Sequence, residues 1–178
     1  NSGYVVLALI AERVSGVPFH DLVDELVVQP AGMRDTAFLR YDELPGRAAI
    51  GYLHDDGLRS NVHHLPVRGN GDGGIYTTLA DVHAFWDALF AGRIVSSATL
   101  AEMTRPRSEV PDMGMSYGLG CWLEGPDHVV RIVGGDAGVG ALSTHDPERR
   151  VTVTALCNQT RGVWPTSSRV NGLVGLPT

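Results

Sequence analysis

Residues 117–157 read YGLGCWLEGPDHVVRIVGGDAGVGALSTHDPERRVTVTALC, four apolar segments separated by turn residues. Tyr117, Leu119, Cys121 and Leu123 alternate with their neighbours, the period of a half-buried strand. Gly125-Pro126-Asp127 reads as a turn, and His128 to Val133 as a second strand. A glycine-rich bend from Gly134 to Gly140 leads into a third strand, Ala141 to His145. Asp146-Pro147-Glu148-Arg149 suits a type I turn with proline at its second position, and Val151 to Leu156 makes the fourth strand. Strands joined by such short turns pair antiparallel.

Upstream the pattern is helical. Gly3 to Val14 is apolar nearly all round (Val5, Val6, Leu7, Leu9, Ile10), which predicts a buried helix ended by Ser15-Gly16. Pro18 suits a first helical position; Phe19, Leu22, Val23, Leu26 and Val27 then share a stripe that Pro30 and Gly32 stop. Residues 41–74 are rich in glycine, proline and aspartate, and a loop this long is usually functional or poorly ordered. Thr78 and Asp81 have capping-box spacing ahead of Val82, Phe85, Trp86, Leu89 and Phe90, and Gly92 closes that helix. Ser97 caps a short helix through Met103, ended by Pro106, and a last helix is expected from about Pro165 to Val174. Helices followed by an antiparallel sheet and a closing helix make the fold class α+β. One domain is expected, with residues 1–115 as its helical and loop region and 116–178 as its strands and closing helix.

Composition narrows the function classes. No apolar run approaches the length of a membrane span. The net charge is −6, with both signs mixed along the chain, so nucleic acid is not an expected partner. All fourteen basic residues are arginine, so no lysine amine is available for catalysis. The chain opens at Asn1 directly into a helical pattern, and the true amino terminus is expected elsewhere. Cys121 and Cys157 fit either a disulfide or, as the preferred reading, two buried free thiols.

Five motifs in order carry a family resemblance. They are Asn1-Ser2-Gly3-Tyr4 before a helix, Pro30-Ala31-Gly32-Met33-Arg34-Asp35-Thr36, Gly71-Asp72-Gly73-Gly74-Ile75-Tyr76-Thr77-Thr78, Tyr117-Gly118-Leu119-Gly120, and the Gly134–Gly140 bend followed by Asp146-Pro147. Together they resemble the serine beta-lactamase and penicillin-binding-protein superfamily, over essentially the whole chain. The resemblance implies the beta-lactamase/transpeptidase-like fold, here incomplete, and acyl transfer to a serine. Beta-lactams, D-amino-acid peptides and small esters are the implied substrates, with no cofactor and no metal. The family's nucleophile and its lysine come from a Ser-x-x-Lys helix upstream of the Tyr-x-Asn motif. Neither is present here, so that amino-terminal segment is an expected partner and the chain alone is expected to be inactive. A non-catalytic relative that binds peptidoglycan-like ligands or a protein is the alternative.

Site residues carry over from the same motifs. Asn1 matches the last residue of Tyr-x-Asn, where an amide holds a substrate carbonyl or the lysine amine; capping the helix is the plainer role. Gly73 and Gly74 either face the cleft, with Asp72 and Tyr76 beside them, or make a tight turn. The third family motif, Lys-Thr-Gly or His-x-Gly, matches poorly. One alignment puts Ile132 at its basic position with Gly134 as the glycine, and a gapped one uses Gly135. Gly135 or Asp136 then offers an oxyanion N–H, or the segment is a plain turn.

Other signals fail on context. Gly69-x-Gly71-x-x-Gly74 matches the dinucleotide fingerprint, but no strand precedes it. His54, Asp55, Asp56, His63 and His64 lack ligand spacing. The first helix should be covered by the missing segment, so marginal stability and self-association through its uncovered face are expected.

Overall fold

The computed structural model describes residues 1–125 and 129–178. Pro126, Asp127 and His128, part of the expected first turn and second strand, lie outside the described residues. Helix α1 spans Ser2–Ser15, and Gly16 ends it in the left-handed conformation, donating to Glu12 O. Helix α2 (Phe19–Val23) runs through a π turn (Asp24–Val28) into α3 (Gln29–Ala31). Pro30 does not stop this helix as expected. It sits in the last turn, one step after the wider π geometry, where the clash of its ring with an upstream carbonyl is relieved. Gly32 is the true stop, with the Gly32→Gln29 and Met33→Val28 backbone bonds of a Schellman motif.

After a loop-rich stretch come α4 (Leu79–Phe90) and α5 (Ser97–Met103). The cap of α5 is Ser96, one residue before the expected one. Thr78 caps α4 by accepting the Asp81 N–H at 3.2 Å. The other half of the box is absent, because the Asp81 carboxylate turns away to accept from Asp35 N and Thr36 Oγ1, each at 2.7 Å. That carboxylate fastens the segment after α3 to the start of α4.

The sheet has six antiparallel strands in sequence order: β1 Ser108–Val110, β2 Met115–Tyr117, β3 Trp122–Glu124, β4 Val129–Asp136, β5 Val139–Asp146 and β6 Val151–Cys157. Two expectations change. Tyr117 to Leu123 is not one strand but a hairpin, with Tyr117 paired to Trp122 and Gly118 N–H donating to Cys121 O across the turn. Leu119 is accordingly half exposed at the tip, and Gly120 takes φ +86°. Nor is Gly134 to Gly140 a bend. β4 runs straight through Gly134 and Gly135 to Asp136, and only Ala137-Gly138 turn the chain. Gly140 serves packing: a Cβ there would meet Val163 Cγ1 at 2.8 Å, whereas one on its cross-strand partner Gly135 would only touch Trp164, at 4.0 Å. Both contacts come from helix α6 (Val163–Val174).

Alternation along β4 and β5 therefore feeds two layers. On one face Val130, Ile132, Ser143 and His145 meet α4, where Trp86 is 1% exposed, donates to Ser143 Oγ at 2.8 Å and stacks on His145. On the other, Arg131 and Thr144 meet Asn171 of α6 and the Leu176-Pro177 tail. The Arg131 guanidinium, nearly buried, pairs with Glu124 at 2.6 Å. Cys121 and Cys157 are free thiols; Cys121 is buried, whereas Cys157 is only half buried. No single helix among the described residues is long and apolar enough to cross a membrane.

Helix α1 departs most from expectation. Of its residues only Ala8 is buried, while Val6, Leu7, Leu9, Ile10 and Val14 are between 52% and 82% exposed. An all-round apolar helix has too little partner surface within these 178 residues.

Candidate active site

The motif residues fall into two groups. The first is the start of α1 and the glycine loop before α4. Asn1 occupies the N-cap position, yet its side chain makes no capping bond and is exposed, so its amide stays available. The loop closes on itself through Asn70 N→Gly73 O at 2.9 Å and Gly73 N→Asn70 O at 3.1 Å. Gly74 has φ +86°, and a Cβ there would strike Gly69 Cα at 2.6 Å, so this glycine is required by the turn itself. Gly73, at φ +149°, has open space where a Cβ would be. Gly71 lies directly on the Tyr4 carbonyl and Ala8 Cβ, seating the loop on α1. His20 Nε2 meets Gly69 O at 2.7 Å and holds the loop from α2. Asp72 is exposed, and Tyr76 packs edge-on against Tyr41; burial, with help from that neighbour, pushes the Tyr76 phenol well above its ordinary range.

The second group is the end of β4. Pairing with β3 stops at Arg131, so from Ile132 to Asp136 the strand is paired on its β5 side alone. Gly134 meets nothing within 4 Å of a would-be Cβ. Ile132, which one of the two alignments puts at the family's basic position, packs against the Trp86 cluster. The Asp136 carboxylate accepts the Ala137 N–H at 2.7 Å and stiffens the turn.

Tyr4 and Tyr117 approach across the gap, their hydroxyls 2.6 Å apart, which ties the first turn of α1 to the β2–β3 hairpin. Burial, with the Tyr4 bond, raises the Tyr117 phenol well above its usual value. Thus Asn1, Gly73 and Gly74 belong to one wall, and Gly134, Gly135 and Asp136 to another. Among the described residues no hydrogen bond joins the two walls; the tyrosine pair joins the first to the β2–β3 hairpin. That pair, His20 and the Asp81 anchor escape a reading of sequence alone. The two tyrosines stand in quoted motifs, but nothing in their spacing says that they meet.

Comparison with known proteins places these features in a family. The beta-lactamase family model matches residues 1–170. Penicillin-binding protein 4* of Bacillus subtilis (strain 168) is 28% identical over 175 residues, which are 89% of this chain and 39% of that protein. The crystal structure of a penicillin-binding protein from Bacillus halodurans superposes with a TM-score of 0.90 at 31% identity, covering 96% of this chain and 54% of that one. The D-amino acid amidase of Ochrobactrum anthropi SV3, complexed with L-phenylalanine amide, gives a TM-score of 0.72 at 27% identity, covering 88% of this chain and 48% of that one. The chain thus spans about half the length, or less, of these relatives. With the α+β layering and five ordered motifs, the match over residues 1–170 makes this chain a member of the beta-lactamase family.

Proposed function

We propose that the chain supplies the non-nucleophilic half of a serine hydrolase that opens an amide or ester through an acyl-enzyme. The observation that carries this reading is the edge of β4 from Ile132 to Asp136, which among the described residues is unpaired on the side away from β5, in a chain whose Asn1 side chain makes no capping bond. An unpaired strand edge binds an extended peptide-like substrate by adding it as another strand. The ladder closes on the two-residue turn Ala137-Gly138, so peptide groups alternate outward, and those of Val133 and Gly135 point to the unpaired side. The Gly135 N–H is then the oxyanion donor, and the Asn1 amide orients the substrate carbonyl or an incoming lysine amine. Gly73, with open space where a Cβ would be, lets the other wall approach the substrate backbone, while Gly74 makes the turn that presents it.

The serine and its lysine come from a segment outside residues 1–178, since the chain contains no lysine. The same segment covers the exposed face of α1. Among substrates, D-amino-acid amides and peptides and β-lactams fit best, in keeping with the names of the similar proteins. One observation favours a second reading. Ile132 is a core contact, and neither alignment of the third motif supplies a basic residue, which suits a relative that binds peptidoglycan-like ligands without cleaving them.

Labelling the full-length protein with a fluorophosphonate and with a fluorescent penicillin tests the first reading. A covalent adduct on one serine supports hydrolysis through an acyl-enzyme. No adduct with either probe, in a protein that still binds a D-alanyl peptide, favours the second.

A further inference from the structure

The turn at the end of β4 is gripped by two side chains from remote parts of the chain. Asn61, in the long loop between α3 and α4, is 0% exposed, and its Nδ2 donates to Ala137 O at 3.0 Å. Thr160, just after β6, accepts the Gly138 N–H at 2.8 Å and lies 3.5 Å from Asp136 O. The fit is close: a Cβ on Gly138, at φ +77°, would sit 2.9 Å from both Asn61 Cβ and Tyr52 N. Gly51 presses on the same amide.

Backbone bonds fix the gripping loop in turn. Asn61 N donates to Gly51 O and Tyr52 N to Asn158 O, each at 2.9 Å, and Asn158 Nδ2 reaches Ile50 O at 3.1 Å. Asn61 Oδ1 is buried with no hydrogen-bond partner. Half an amide left unpaired opposes folding, so the bond to Ala137 is what this side chain contributes. The location matters because β4 beyond Arg131 has a neighbour on one side only. Such an edge twists freely unless its end is tied.

We propose that Asn61 and Thr160 are positioning residues: by clamping the Ala137-Gly138 turn they set where the free edge of β4 stands relative to the substrate. The proposal rests on the reading that this edge faces the substrate. Neither side chain touches substrate; both act through the backbone of residues 132–138.

The test uses the full-length protein with Asn61→Asp, which replaces the donor by an oxygen facing Ala137 O, and Thr160→Val, which removes the acceptor without changing shape. Acylation by fluorescent penicillin and by a fluorophosphonate is followed over a concentration series, with hydrogen exchange of residues 132–140 and thermal melts alongside. A displaced N–H costs the transition state more than the bound substrate, so the limiting rate should fall about tenfold in each variant while half-saturation shifts less than about twofold. Exchange should quicken in residues 132–140 alone, and Thr160→Val should lower the melting temperature by only about 2–4 °C, the loss of one hydrogen bond. An unchanged limiting rate in Thr160→Val, beside a wild type that labels, overturns the proposal, as does quickened exchange spread over the whole sheet. A wild type that labels with neither probe overturns the hydrolase reading instead. Exchange at residues 132–140 then decides the clamp alone, and no change in either variant overturns it.

Discussion

Replacing Asp81 with alanine separates two roles that its spacing from Thr78 merges into one. A helix cap alone is worth about 1 kcal/mol. The Asp81 carboxylate, on a residue 6% exposed, instead accepts the Asp35 N–H and the Thr36 hydroxyl, each at 2.7 Å. Hydrogen bonds to a charged group contribute about 1.5–3 kcal/mol each. Thr36 keeps Thr77 Oγ1 at 2.8 Å as a second partner, so its loss lies low in that range. The Asp35 N–H, on an exposed residue, turns to water, so its loss also lies low in that range. Asp81→Ala should therefore cost about 3–4 kcal/mol, against about 1 kcal/mol for Thr78→Ala. Asp81→Asn keeps an acceptor without the charge and should fall between, at about 1–2 kcal/mol. Urea unfolding of the full-length protein reads these differences through tryptophan fluorescence, to which Trp86 on the same helix contributes. In a Thr36→Val background the loss from Asp81→Ala should shrink, because the two residues share a bond. Equal losses near 1 kcal/mol for Thr78→Ala and Asp81→Ala would refute the reasoning and return Asp81 to an ordinary capping role.

Two further outcomes follow from burial. The five α1 side chains that stand more than half exposed each forgo roughly 1 kcal/mol of burial, about 5 kcal/mol together. Residues 1–178 alone should bind a hydrophobic dye and self-associate, Leu9→Glu should weaken both, and a dye-free monomeric chain would contradict the exposed face. His145 is pressed between Trp86 and Phe90, and its burial lowers its pKa, partly offset by Asp87 and Asp146 and assisted by His83. The unfolded chain then binds the proton first, so stability is full above the ordinary histidine pKa of about 6.5 and is lost as pH falls through the lower folded value. Urea midpoints between about pH 7 and about pH 5 should fall more steeply in wild type than in His145→Gln; equal slopes would assign the loss to other groups.

Much of the fold was legible because it is written locally. The caps at Thr78 and near Ser97, the stop at Gly32 and the period-two runs in β5 and β6 depend on neighbours a few residues away. Errors arose where one residue type serves two ends. Glycines at 118 and 120 alternate with Tyr117, Leu119 and Cys121 and so imitate a strand, although they close a hairpin. Gly135 and Gly140 imitate a bend, although they are paired within the β4–β5 ladder and Gly140 admits α6 to the sheet. The apolar circumference of α1 was legible, but burial is a relation between surfaces, and none among the described residues covers it.

The candidate site was legible only as far as its motifs. Asn1, the glycine loop and the end of β4 were named from them; their grouping into two walls was not. The Tyr4–Tyr117 contact spans 113 positions and the Asn61–Ala137 bond 76. Separations of that size leave no periodic trace in one sequence.

The most direct measurement is intact-mass and peptide mapping of the full-length protein after reaction with a fluorophosphonate. The expected result is one adduct per molecule, on a serine upstream of Asn1 with a lysine three residues after it, and none on residues 1–178 expressed alone. An adduct on a serine within residues 1–178, or no adduct at all, would contradict the assignment of this chain as the half of the site that orients substrate.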